Sequence, residues 1–224
     1  PPTVARPISA PDLPRNPRRR SRLDERSTTV VLVVLVVAGG LLRFWALGAS
    51  RFNYDESFTA MAGRLPVGQM FRFLRAHDSH PPLDYLLHAP FARAGVSEFW
   101  FRAPSALLSL AALGLFAGWM RSRGRLGVIA TALMAISTFQ VVHGREARMY
   151  AELELLGISI AMLATAWSTK PRRWHAPALG ALVFLGLLTH VSTFLLAAGL
   201  LVIPGRRTDA DAWRWRAAIA LGGL

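Results

Sequence analysis

The sequence predicts an all-α protein: a polytopic transmembrane helical bundle with short interfacial helices in a long first external loop. Three observations predict it. Apolar side chains make up 53% of the chain and mean hydropathy is +0.34, yet they come in blocks rather than dispersed at the period of a soluble core. The blocks are of membrane length and lack period-two alternation. Basic residues gather in the segments between blocks.

Residues 1–27 are rich in proline and arginine and poor in apolar side chains. They cannot bury enough surface to fold and are expected to form a disordered basic tail. Residues 28–224 are expected to form one transmembrane module. Its first block, Thr28 to Leu47, is long enough as a helix to span a hydrocarbon core of roughly 30 Å. Arg43 and Trp45 are expected near an interface. A cleaved signal peptide would use a shorter apolar region than this one.

Four further blocks follow: Ala103–Met120, Leu126–Val142, Met149–Trp167 and Trp174–Pro204. The last is long enough for a hairpin of two short helices, breaking around "LTHVST". Pro81 to Gly95 is short and carries Asp84, His88, Pro90 and Arg93, so it is expected to lie along the interface. Gly114 and Gly118 form a G-x-x-x-G that reads as a helix-packing contact. A last apolar block starts at Ala217. Because the chain begins at Pro1 and ends inside that block, it is expected to be a piece of a longer protein.

The net charge of +13 would suit nucleic acid if the arginines formed one face. They do not. The tail, residues 121–125, 170–173 and 205–216 hold 17 of the 26 basic residues but only 5 of the 13 acidic ones. The positive-inside rule puts all four on the cytoplasmic side, N-terminus included. The excess charge is topological, and nucleic acid is excluded as a partner. The chain has no cysteine, which removes disulfides and thiolate metal sites.

That topology sends the remaining polar clusters to one external face. The loop from Gly48 to about Arg102 carries Tyr54, Asp55, Glu56, His77, Asp78 and His80. A second loop carries Arg145, Glu146, Arg148, Tyr150 and Glu152, and His190 sits at the hairpin tip. Each has an ordinary explanation. Asp55 and Glu56 suit the N-terminus of a short helix, "DESFTAMAGR". His77 and His80 at i, i+3 are a weak metal signal. Arg145 and Arg148 could anchor a crossing's end. Glu152 and Glu154 are harder to dismiss, because a carboxylate inside a crossing usually has a partner or a role.

Taken together the set suits transfer from a membrane-bound phosphate donor. Arginine gives permanently charged, bidentate phosphate contacts, and a neighbouring carboxylate can accept a proton from a hydroxyl. There is no H-E-x-x-H, G-x-S-x-G or phosphate-binding glycine loop.

"NYDESFTA", "HPPLDYLL", "FRAPSALLSL" and "GREARMYAEL", in that order, resemble the C-type, multi-spanning, polyprenyl-phosphate-sugar-dependent glycosyltransferases. This is the superfamily of the protein O-mannosyltransferases and aminoarabinose transferases. The resemblance covers roughly residues 28–204. It implies a bacterial inner-membrane enzyme, in its full-length form, that moves a hexose or pentose from a polyprenyl-phosphate donor to an external hydroxyl with inversion. The acceptor, whether glycan, lipid or protein, is not specified.

The resemblance implies Asp55, with Glu56 beside it, as catalytic carboxylates at the acceptor. It implies Arg145, Arg148, His80 and His190 around the donor phosphate. Tyr54, His77, Asp78, Tyr150 and Glu152 are acceptor or supporting residues. Glu152 could stand in for an aspartate that relatives carry after the second-loop arginine. Some members bind a divalent metal and others do not, so no cofactor is assigned. A transporter or lipid-headgroup-handling protein would use the same basic pocket without chemistry; a purely structural membrane subunit leaves the one-sided polar clustering unexplained.

Overall fold

The computed structural model of the chain describes residues 17–202, and all regular structure among them is helical. α1 (Pro17–Phe44) is followed by three short helices, α2 (Tyr54–Arg64), α3 (Val67–His77) and α4 (Leu83–Ala94). α5 (Glu98–Met120) runs through a 3-10 turn (Arg121–Arg123) into α6 (Gly124–Ile136) and the short α7 (Thr138–His143). α8 (Tyr150–Thr169), α9 (His175–Thr189) and α10 (Thr193–Val202) complete the described chain.

Among the described residues three stretches are long and apolar enough to cross a membrane: Glu25–Phe44, Glu98–Ile136 and Tyr150–Thr169. Their hydrophobic windows are only 22%, 44% and 28% buried inside the protein. Val33, Val37 and Leu41 on α1 and Leu126, Ile129 and Leu133 on α6 are exposed. An apolar belt of this extent is costly in water and at home in lipid.

α1, α5 and α6 pack on one another, α8 packs between α5 and α9, and α2 rests on α4. Arg121 reaches Glu25 (3.4 Å) at one end of the α1–α5 pair, and Arg102 donates to the Leu47 carbonyl (2.9 Å) at the other. The two helices are therefore antiparallel. Gly124 reverses the chain between α5 and α6 at φ 56°, a conformation glycine adopts without strain.

Several expectations need correction. α1 begins at Pro17, inside the segment expected to be disordered; proline's fixed φ suits the first helical position. The rest of that tail, the basic residues 205–216 and the block from Ala217 lie outside the described residues. The block Leu126–Val142 is broken at Ser137, whose backbone leaves helical geometry and whose side chain caps Gln140 N–H. A Cβ built at Gly114 or Gly118 would meet nothing within 4 Å, so among the described residues no helix packs on the G-x-x-x-G. Close approach occurs at Gly39, where a Cβ would stand 2.5 Å from Leu113. Trp174–Pro204 does divide into two short helices, at His190–Ser192 within "LTHVST". Thr193 Oγ1 donates back to the Gly186 carbonyl across that break (2.8 Å).

Candidate functional site

The start of α2 is fixed by a capping box. Asn53 accepts the Glu56 N–H (2.8 Å), and Glu56 Oε2 accepts the Asn53 N–H (3.1 Å). The same carboxylate takes Arg102 bidentately at 2.7 Å on each oxygen, and its Oε1 accepts the Ala147 N–H (3.1 Å). Arg102 also donates to the carbonyls of Leu47, Ser50 and Arg51. Burial pushes the Glu56 carboxyl up, but Arg102 and the two N–H groups overcome it and hold it below its ordinary value. Glu56 is 1% exposed with four donors on two oxygens. From the sequence Glu56 is expected beside Asp55 as a catalytic carboxylate; the structure commits both its oxygens to donors, so that it ties α2 to α5 and to the loop before α8.

Asp55, its neighbour, is exposed in the first turn of α2. Its charge acts on Arg148, which is buried beneath Thr59 and Tyr85 and donates from one terminal nitrogen to both hydroxyls (3.3 and 3.2 Å). Burial opposes the charge on Arg148, but Tyr85, Asp84 and Asp55 more than offset it. Its Nε is buried without a hydrogen-bond partner.

Tyr85 carries the network onward by donating to Asp78. Asp78 Oδ1 accepts the N–H groups of Ser79 and His80 (2.7 and 3.2 Å) and lies 2.7 Å from His80 Nδ1. Burial raises the Asp78 carboxyl, but Tyr85 and His80 bring it below the usual range. Burial also pushes the Tyr85 hydroxyl up, and Asp78 adds to it. The His80 ring lies 5.4 Å from that of His190. His190 Nδ1 accepts the Ser192 N–H (3.0 Å). Burial, then the nearby His80 and Arg148, lower the His190 pKa. Thus Asp55, Arg148, Asp78, His80 and His190, from four separate segments, share one electrostatic neighbourhood.

Arg145 belongs to another. It donates to the Trp45 carbonyl and lines a cleft of about 390 Å³ with Ser50, Arg51, Asn53, Arg102 and Glu146. Burial and the nearby Arg102 lower its pKa. The three guanidiniums there face Glu56, which is committed to Arg102, and Glu146, which is 2.9 Å from His143 Nδ1. The cleft is therefore suited to an anion. The segment between His143 and Tyr150 sends Arg145 toward the end of α1 and Arg148 toward α2 and α4. The expected grouping of both arginines with His80 and His190 is split.

Tyr54, His77 and Tyr150 stand outside these networks. Tyr54 is 85% exposed. His77 is exposed, stacks on Phe73 and has Nδ1 at the Phe73 carbonyl. The Tyr150 ring packs 4.7 Å from His143.

Two polar groups lie deeper. Glu152 is buried against Asp84 and His88. Arg43, in the last turn of α1, is fully buried: its Nε donates to Ser109 (2.8 Å), and Ser109 donates to Glu154 (2.9 Å). Sequence reasoning missed the roles of Arg102, Tyr85 and Arg43. A basic residue in one apolar block and Glu154 in another were the only signal for the last.

Comparisons with models of known protein families, with curated proteins and with solved structures found no match.

Proposed function

We propose that this chain is part of a membrane glycosyltransferase that uses a polyprenyl-phosphate sugar as donor. The observation that carries the reading is exposed Asp55 standing within the through-space field of buried Arg148, whose Nε has no hydrogen-bond partner among the described residues, beside the His80–His190 pair. A carboxylate open to an incoming hydroxyl and a guanidinium held charged next to it are the two parts this reaction needs.

In the proposed mechanism Asp55 takes the proton of the acceptor hydroxyl. The hydroxyl oxygen forms a bond to the anomeric carbon from the face opposite the lipid phosphate. The bond from that carbon to the phosphate oxygen breaks, and its electron pair leaves with the lipid phosphate. Arg148 offsets the departing charge, His80 and His190 line the site beside it, and Asp78 and Tyr85 hold His80 and Arg148 in position. Arg145 and Arg51 would bind a second anionic group in their cleft. The basic connections are proposed to face the cytoplasm of a bacterium and the site its exterior.

The buried run Arg43–Ser109–Glu154 favours a second reading, in which the protein moves a headgroup or proton across the membrane without glycosyl transfer. One experiment separates them. Full-length protein in detergent is incubated with radiolabelled polyprenyl-phosphate sugars, and release of sugar from the lipid is measured. Release by the parent, abolished in Asp55→Asn with normal expression, is the expected result; Asp55 is exposed and α2 is capped by Asn53, so folding should survive. No release from any donor, or an Asp55→Asn protein at parent rate, overturns the reading.

A further inference from the structure

Asp84 and His88 stand one turn apart on α4 and face Glu152 in the first turn of α8. One donor atom from each lies within 4.8 Å of the others. All three side chains are buried, at 2%, 0% and 6% exposure. Among the described residues none of the four carboxylate oxygens accepts a hydrogen bond. His88 Nδ1 is 3.0 Å from both the Asp84 carbonyl and Asp84 Oδ1, but only the carbonyl lies in the hydrogen-bonding direction. Arg148 acts on Asp84 through space while giving its hydrogen bonds to Thr59 and Tyr85.

We propose that Asp84, His88 and Glu152 bind one divalent transition-metal ion, Zn²⁺ or Mn²⁺, which clamps α4 to α8 behind Arg148. Two buried carboxylates side by side, Asp84 with only the His88 ring against it and Glu152 with no direct partner among the described residues, need more counter-charge than one imidazole gives, and a divalent ion supplies it while satisfying their oxygens. Two atoms each about 2.1 Å from an ion are at most about 4.2 Å apart. The present spread therefore requires a closing of under about 1 Å, within reach of small side-chain rotations.

Imidazole beside two carboxylates suits zinc or manganese rather than calcium or magnesium, whose preferred ligands are oxygens alone. Ser105 completes the arrangement. Its hydroxyl is 3.2 Å from His88 Nε2; in the metal-bound form Nε2–H would donate to it, while Nδ1, which now donates to the Asp84 carbonyl, would give up that bond and turn its lone pair to the ion. Three protein ligands leave a fourth position for a second carboxylate oxygen or a water; because all three side chains are buried, the ion is assigned to holding α8 and the loop before it, not to contact with substrate.

The inference does not depend on glycosyl transfer, and its test reads metal and melting temperature rather than activity. Full-length protein is stripped with chelator in detergent, then titrated with Zn²⁺ or Mn²⁺ while bound metal and thermal stability are followed. The expected result is one ion per chain with a rise in melting temperature. Asp84→Asn and Glu152→Gln should lose both. Ser105→Ala, which keeps all three ligands, should weaken binding by about tenfold or more. If a variant fails to fold, titration of the stripped parent decides alone. A parent that takes up no metal and melts unchanged in its presence overturns the proposal, and the carboxylates then share a proton. Metal retained at parent affinity in Asp84→Asn and Glu152→Gln overturns it equally.

Discussion

Glu56→Gln gives the most direct test of how the loop is held. Oε1 accepts from Arg102 Nε and Ala147 N–H, and Oε2 from an Arg102 terminal nitrogen and Asn53 N–H. Whichever oxygen becomes an amide nitrogen, it meets two donors, one of them from Arg102. The guanidinium is also left buried without its counter-charge. Removing one partner of a buried pair costs about 3–5 kcal/mol. On the scaling for domains of this size, about 2–4 °C per kcal/mol, melting should fall by about 6–20 °C. The assay is thermal unfolding of the full-length protein in detergent, followed by tryptophan fluorescence. A fall of under about 2 °C would refute the reasoning, since it would mean that the pair is solvated or broken. A double variant that also removes Arg102 should not recover the parent value, because the carbonyls of Leu47, Ser50 and Arg51 lose their donor as well.

The same carboxylate sets a pH dependence. Its folded pKa lies below the ordinary value, so its contribution is complete above the unfolded value of about 4.3 and is lost as pH falls through the folded one. Parent melting temperature should drop in that acid range, and Glu56→Gln should flatten the drop. Arg148→Lys keeps a charge but loses the planar fork, so donor binding, measured as lipid-phosphate affinity, should weaken roughly tenfold to a hundredfold. Arg145→Lys should weaken it less if the Arg145 cleft holds a separate anion. Topology can be read by single cysteines in this cysteine-free chain. Ser57 and Ser79, both exposed, should label with an impermeant maleimide on intact cells, and Ser122 and Thr169 should not.

The helices were legible where a pattern is local. Blocks of apolar residues foretold α1, α5 and α8, and "LTHVST" foretold the break before α10, because chain length against membrane thickness is a one-dimensional argument. Ser137 was not legible as a break, since a serine inside an apolar run reads equally well as a solvated helix position. The site was legible only as a set of polar residues at one end. Which of them meet is a matter of tertiary packing. Arg102 looked like part of a helix start and proved to be the partner of Glu56 from 46 residues away. Arg43 looked like an interfacial anchor, because nothing in its own block announces Ser109 and Glu154.

The fates of Asp55 and Glu56 follow from helix geometry. Successive residues on an α-helix are about 100° apart around its axis. On a first turn packed against the bundle, two adjacent carboxylates therefore cannot both face inward. Glu56 turns in, where only an ion pair with full hydrogen bonding makes a buried carboxylate tolerable, and Arg102 supplies it. Asp55 is thereby directed outward, toward the field of Arg148 and away from the donors that silence its neighbour. The buried pair fixes the position of the exposed residue, so the two carboxylates act in series and not as a unit. Glu56→Gln should impair any Asp55-dependent activity through loss of stability and recover it on cooling. Asp55→Asn should lose that activity at every temperature with stability intact. Equal, temperature-independent losses from both would instead make them a joint catalytic pair, contrary to the geometry.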